Sequence, residues 1–272
     1  MSGQSAIMTI MQAAARKASR GLLRDFNEVE QLQVSRKGPA DFVSRADKKA
    51  ERVIYEELSK ARPGYSFLME EAGEIEGSDK THRFIIDPLD GTTNYLHGIP
   101  HFAISIALER EIDNTPRETV AGLVYNPITD EAFFAEKGRG AYINDGTRGG
   151  ADRRLLPGRR DIFSDALFST GIPFLGKTGH AKFLKELHQV MGASSGVRRM
   201  GAASLDLAWT AAGRYDGYWE RGLAPWDIAA GVLICQEAGL QVEGLSEGNV
   251  LETGDIIVCN DALMEQLKAK VG

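Results

Sequence analysis

The stretch Phe84-Ile85-Ile86-Asp87-Pro88-Leu89-Asp90-Gly91-Thr92-Thr93-Asn94 constrains this chain more than any other. Its opening residues are apolar and rich in β-branching, and they read as a buried strand. Asp and Gly form strands poorly, so the chain is expected to turn there and present Asp87 and Asp90 at the strand end. Carboxylates set that close repel each other. A hard divalent cation such as Mg²⁺, which takes oxygen ligands and keeps water in its shell, relieves the repulsion. A bare D-x-x-D is equally an ordinary polar turn, so its surroundings must decide.

Composition narrows the choice. The 272 residues are 43% hydrophobic and 26% charged, as in ordinary globular proteins, and the net charge of −6 argues against a large nucleic-acid footprint. Cys235 and Cys259 lie in apolar surroundings without C-x-x-C spacing, and are expected as buried thiols in a reducing compartment. No run reaches the ~18 apolar residues of a membrane span, and no secretory pattern opens the chain. A cytoplasmic protein is expected.

In chain order, residues 5–30 place Ile7, Ile10, Met11, Ala14, Ala18, Leu22 and Phe26 at three- and four-residue steps, an amphipathic helix. Lys37-Gly38-Pro39-Ala40-Asp41 reads as a turn. A second helix is expected over 47–60, with Asp47 near its start, where a capping role alone would account for the carboxylate. An apolar strand over 65–69 ends in Glu70-Glu71. Neighbours on a strand point to opposite faces, so only one of the pair is expected to join a site with Asp87 and Asp90. The charged run 73–80 reads as a solvated loop. Strands are expected over 102–108, 120–125 and 131–136, antiparallel and without intervening helices. Segment 147–161 is loose and carries Arg148, Arg153, Arg154, Arg159 and Arg160, read as a solvated connector.

The second half changes character: a strand over 162–168, a helix over 181–191, a helix over 203–212 and a strand over 215–219. Pro225-Trp226-Asp227 then opens a helix, proline supplying its fixed φ and Asp suiting the dipole. Gly171-Ile172-Pro173-Phe174-Leu175-Gly176-Lys177-Thr178 matches a phosphate-loop pattern. We set it aside because Pro173 has no N–H to donate and Phe174 and Leu175 are bulky where such a cradle needs small residues.

Taken together, these motifs resemble the inositol monophosphatase family over about 13–271. Glu70-Glu71 ends one strand, Asp87-Pro88-Leu89-Asp90-Gly91-Thr92-Thr93-Asn94 matches the family's first signature, and Pro225-Trp226-Asp227-Ile228-Ala229-Ala230-Gly231 its second. Arg199-Met200-Gly201-Ala202-Ala203-Ser204-Leu205-Asp206 and Asp216-Gly217-Tyr218-Trp219-Glu220 also resemble family segments. Met69 departs, since relatives carry a small residue there; it should alter packing rather than remove a ligand.

The resemblance implies an α/β (α+β) fold, a layered αβαβα sandwich, in one domain over 1–272. Sub-region 1–146 would carry Glu70 and the Asp87–Asp90 motif, and sub-region 147–272 the Asp227 motif. It implies two or three Mg²⁺ ions, inhibition by Li⁺, frequent homodimers and hydrolysis of a small phosphate monoester. Glu70, Asp87, Asp90, Asp227 and the Leu89 carbonyl become metal ligands, Gly91 and Thr92 phosphate contacts, and Gly201, Ala202, Ala203 and Glu220 contacts to the alcohol. Asp47 pairs with Thr92 to position the attacking water.

The residues fit this chemistry independently. Monoester hydrolysis is among the slowest reactions in water. No cysteine here looks nucleophilic, and His97 and His101 are not spaced for metal ligation and read as structural or rim residues. Clustered acids suit metal-assisted attack by water. The expected activity is Mg²⁺-dependent hydrolysis of inositol-1-phosphate, because Glu220 suits a polyol and disfavours a second phosphate. Fructose-1,6-bisphosphate, histidinol phosphate or a 3′-phosphonucleotide are the rival substrates. A regulatory protein on the same fold, binding protein or RNA through the arginine-bearing segment, is the rival of another class.

Overall fold

The computed structural model describes residues 4–26, 34–38, 41–111, 115–146 and 151–272. The tail of the first expected helix (27–30), the turn residues Pro39 and Ala40, and Arg148 lie outside them. Element order begins with α1 (Ala6–Phe26), the hairpin β1 (Val34–Gly38) and β2 (Asp41–Ser44), and α2 (Arg45–Ala61). There follow β3 (Ser66–Met69), β4 (Gly73–Ile75), β5 (His82–Asp90), the short α3 (Thr92–Leu96), β6 (Ala103–Arg110), β7 (Glu118–Asn126), β8 (Glu131–Glu136), β9 (Ala141–Asn144) and β10 (Arg153–Arg154). The remainder comprises β11 (Leu167–Thr170), α4 (His180–Met191), β12 (Gly196–Arg198), α5 (Ala203–Ala211), β13 (Gly217–Glu220), α6 (Pro225–Ala238), β14 (Gln241–Gly244), α7 (Val250–Thr253), β15 (Ile256–Cys259) and α8 (Asp261–Val271).

Strands β3 to β10 form one eight-stranded sheet, antiparallel except for the parallel pair β3–β5. The period-2 alternation of strands sorts its side chains between two cores. Phe84, Ile86, Ile104, Ile106, Leu123 and Phe134 face α1 and α2. Ile85, Ala103, Ala107, Val124, Phe133 and Ala135 face the other way, towards α5 and α6. Both faces are covered, which is why Phe84 to Asp90 are buried without interruption. Met69 is buried in the α1–α2 core, a packing role as expected.

The inner face is lined by small residues, so α6 can lie close. A Cβ on Gly122 would stand 2.8 Å from the Ala230 carbonyl oxygen, and one on Gly231 would stand 2.6 Å from a Leu207 methyl on α5. Helix α6 is buried on every side from Ile228 to Cys235, as a helix apolar all round must be. Beyond it lies the second sheet, ordered β12-β11-β13-β15-β14. Its far face packs Phe168, Trp219, Ile257 and Cys259 against Val190 of α4 and Leu263, Met264 and Leu267 of α8. The layers are therefore αβαβα, as expected.

Several local expectations change. The run at 73–80 opens with an edge strand, β4, paired with β3, because alternation of small and apolar residues around Glu74 suffices for three pairs. Strand β5 does not stop at Ile86 but continues through a register irregularity to Asp90. Residues 162–168 split into a 3-10 turn at Phe163–Asp165 and β11. Segment 147–161 is not wholly loose: Arg153 and Arg154 extend the sheet edge, and Arg160 pairs with the buried Asp216 at 3.2 Å. Helix α4 begins at His180, beyond Thr178, and Lys177 Nζ donates to the Gly222 carbonyl, so the 171–178 loop does not deliver its lysine and hydroxyl at a helix start.

Candidate active site

The irregular end of β5 builds the first part of the site. Pro88 has no N–H for the ladder, and the Leu89 N–H turns back to Asp87 Oδ1 at 2.9 Å. The Thr92 hydroxyl donates to the Leu89 carbonyl at 2.9 Å. Gly91 has φ 92°, and a Cβ there would sit 3.0 Å from the His101 carbonyl oxygen. A left-handed residue squeezed against backbone has to be glycine.

Asp90 reaches across to α5. Its Oδ2 accepts the Ser204 N–H at 2.8 Å and the Ser204 hydroxyl at 2.5 Å, in a first helical turn that suits a carboxylate. Burial lifts the Asp90 carboxyl to about 6, against hydrogen bonds from Ser204, Ala203 and Gly91 that hold it down. The expected contact segment Gly201-Ala202-Ala203 is thus placed directly beside Asp90. Asn94 Nδ2 binds the Met200 carbonyl at 2.8 Å and the His101 carbonyl at 2.9 Å, tying that segment to α3.

Asp227 lies in the first turn of α6, its Oδ2 accepting the Ala224 N–H at 2.7 Å. Burial and then Asp90 raise its carboxyl well above the usual range, with Glu70 and Glu220 adding to the rise. Asp87 is raised by burial and then by Glu70, Asp90, Asp227 and Asp47. Charges act on a carboxyl group in this way only when they are close, so Asp47 of α2, Glu70 just past β3, Asp90 of β5 and Asp227 of α6 all lie near Asp87. Glu71 joins them: Asp47, Glu70 and Glu71 each bring an oxygen within 4.8 Å of the others. Of the pair, Glu70 is the one that acts on Asp87 and Asp227, while Glu71 stands with Asp47 and Glu70. Hard oxygen donors, buried at Asp47, Asp87 and Asp90 and half-buried at Glu70, Glu71 and Asp227, fit a divalent cation.

A cavity of about 380 Å³ opens beside this group, lined among others by Gly171, Phe174, Lys177, Glu220 and Asp227. Glu220 ends β13 beside the end of the parallel strand β11, where Thr170 is in register with Trp219. Burial lifts Glu220 to about 7, although the Tyr218 hydroxyl donates to its Oε2 at 2.5 Å and Arg199 and Lys177 oppose the rise. Asp206, on α5, is buried, and burial followed by Glu220 and Asp90 raises it too. The histidines stand apart from the acids: His97 is exposed, and His101 packs edge-on to Trp209 while burial pushes it down to about 4.

Sequence reasoning gave no role in the site to Ser204, Asp206 or Tyr218. Only Tyr218 carried a usable signal, since positions 218 and 220 share one face of a strand.

A layered fold with acids gathered at the meeting of its two sheets defines the class: the chain belongs to the inositol monophosphatase family, which it matches over residues 4–272. It is 55% identical over 259 residues to the inositol-1-monophosphatase of Caulobacter vibrioides, covering 94% of this chain and 97% of that one. Against the inositol-1-monophosphatase of Rhizobium meliloti it is 54% identical over 266 residues, with 97% and 96% covered. The crystal structure of extragenic suppressor protein suhB from Bartonella henselae superposes with a TM-score of 0.91 at 51% identity, over 98% of both chains.

Proposed function

We propose that this chain is a Mg²⁺-dependent phosphatase of inositol-1-phosphate, in which water attacks phosphorus directly and no phosphoenzyme forms. The observation that carries the reading is the convergence of Glu70, Asp87, Asp90 and Asp227 beside a cavity that also holds Glu220. These four acids and the Leu89 carbonyl would hold two or three Mg²⁺. When bound, the cations would acidify water and neutralise charge on the phosphoryl group.

The chain's own residues supply the rest. Gly91 lets the phosphate approach the backbone, and the Thr92 and Thr93 N–H groups, at the start of α3, have no carbonyl partner inside that helix. Thr92 with Asp47 would orient the attacking water. Gly201, Ala202, Ala203 and Glu220 would contact the alcohol. No thiol competes as nucleophile: both cysteines are buried, and burial pushes Cys259 up to about 12 and Cys235 further still. Free buried thiols also suit a cytoplasmic setting. A homodimer belongs to the same reading, supported by exposed Leu184 and Met191 on α4 and Leu175 before it. Equilibrium sedimentation tests it.

Phosphate release from inositol-1-phosphate, fructose-1,6-bisphosphate, histidinol phosphate and a 3′-phosphonucleotide, with Mg²⁺ and with chelator, tests the function. Inositol-1-phosphate should give the highest kcat/KM, turnover should vanish with chelator, and millimolar Li⁺ should inhibit. Equal turnover without Mg²⁺, or preference for another substrate, rejects the assignment.

A further inference from the structure

The Glu220 carboxyl group is fixed from two directions by neighbours that carry no charge. On one side the Tyr218 hydroxyl donates to Oε2 at 2.5 Å. Tyr218 is fully buried in the core between the sheets, so its hydroxyl has no freedom to follow a moving partner. On the other side lies Gly171. A Cβ built there would stand 1.8 Å from Glu220 Oε1 and 1.9 Å from Cδ, so the carboxyl group rests in the space that any other residue would fill. The backbone around Gly171 is itself held, because the Thr170 hydroxyl donates to the Trp219 carbonyl at 2.7 Å and joins the ends of β11 and β13. Among the described residues no donor bonds to Oε1, and the carboxyl group lines the cavity.

From this arrangement we infer that Tyr218 and Gly171 are positioning residues that hold Glu220 with Oε1 presented to substrate hydroxyls, and so set the preference for polyhydroxylated alcohols. The inference rests on the reading of Glu220 as the alcohol contact. A glutamate has three side-chain rotors, and a free one must be ordered when substrate binds. Here Tyr218 and Gly171 order it in advance, which strengthens recognition without adding a contact. The glycine of the discarded phosphate-loop match thereby acquires a role: it is small for the sake of a carboxylate opposite it.

The test compares kcat/KM for inositol-1-phosphate with that for phenyl phosphate, whose alcohol part has no spare hydroxyl, in the Mg²⁺-loaded full chain. The variants are Tyr218→Phe, Gly171→Ala, Glu220→Gln and Tyr218→Phe/Glu220→Gln. Tyr218→Phe should lower the ratio of the two values about three- to tenfold, through KM for inositol-1-phosphate. Gly171→Ala, which displaces the carboxyl group outright, should lower it further. In the Glu220→Gln background Tyr218→Phe should lower it no more, because residues acting through one group are not additive. A ratio retained in Tyr218→Phe and Gly171→Ala but lost in Glu220→Gln overturns the positioning role and leaves the alcohol contact standing, as do additive effects in the double variant. A ratio retained in Glu220→Gln overturns both.

Discussion

The two walls of the site handle charge differently. On the β5–α6 wall burial raises Asp87, Asp90 and Asp227, Asp90 and Glu70 push both Asp87 and Asp227 up further, and Asp227 and Asp47 add to the rise of Asp87. On the β13 wall Glu220 has a phenol on one oxygen, and although Asp90 adds to its rise, Arg199 and Lys177 are near enough to oppose it. The first wall calls for positive charge from outside the chain, whereas the second needs only hydrogen-bond donors, which a polyol brings. Separate physical problems have thus been solved a few residues apart, one by accumulation and one by fixation.

The largest expected effect comes from neutralising the crowded wall. Asp90→Asn should lower kcat/KM by at least about a thousandfold, since a catalytic cation contributes several kcal/mol. The fold should survive, because an amide still accepts from Ser204 and one buried charge is gone. Phosphate release and thermal unfolding measured on the same sample check this, and activity within tenfold of the parent would erase the distinction between the walls.

A smaller effect concerns pH. Both walls contain carboxyl groups whose pKa is higher folded than unfolded, so the folded chain keeps protons that the unfolded chain gives up above about pH 4. Their stabilisation is present at low pH and is lost as pH climbs through the folded values, about 6 for Asp90 and about 7 for Glu220. His101, pushed down to about 4, works in the opposite sense below about pH 6.5, so the informative window is 6.5 to 8. In chelator, Tm should fall across that window. Mg²⁺ should raise it most at pH 8, where the ligands are most readily ionised, and Glu220→Gln should remove only the part due to its own wall. A flat profile in chelator would contradict the burial described for these acids.

The smallest effect is a silence. Cys235 donates to the Leu207 carbonyl and Cys259 to the Asp216 carbonyl, both at 3.2 Å, and both are buried. Neither thiol should react with an aromatic disulfide reagent until the chain unfolds. Rapid labelling of the native protein would mean that one wall opens to solvent.

The crowded wall was the more legible from sequence, for a physical reason. Asp87 and Asp90 sit within one strand end, Glu70 directly follows the neighbouring strand and Asp227 opens a helix, so each announces itself through a local break in pattern. The β13 wall depends on a strand order, β12-β11-β13-β15-β14, that brings Gly171 and Glu220 together from distant points of the chain. Nothing in the residues near Gly171 shows that a carboxylate will lie over it. Among the described residues α3, α7 and α8 went unforeseen, while α1, α2, α4, α5 and α6 came through with boundaries displaced by a few residues, because their apolar patterns are long. The short strands β4, β9 and β10 did not, because their pairing is dictated by a neighbour's edge rather than by their own composition.

Helix α6 runs between both sheets with its Ala230 against Gly122 of β7 and its own Gly231 against Leu207 of α5, and it bears Asp227 at its tip. It acts as a dowel through the molecule, so clearances deep in the interior govern how far that carboxylate protrudes. Ligand reach and core fit are cut to a common tolerance here. Even one added methyl group at the dowel's midpoint would shift the Asp227 carboxyl group at its end, so attempts to harden the interior of this fold should leave that shaft alone.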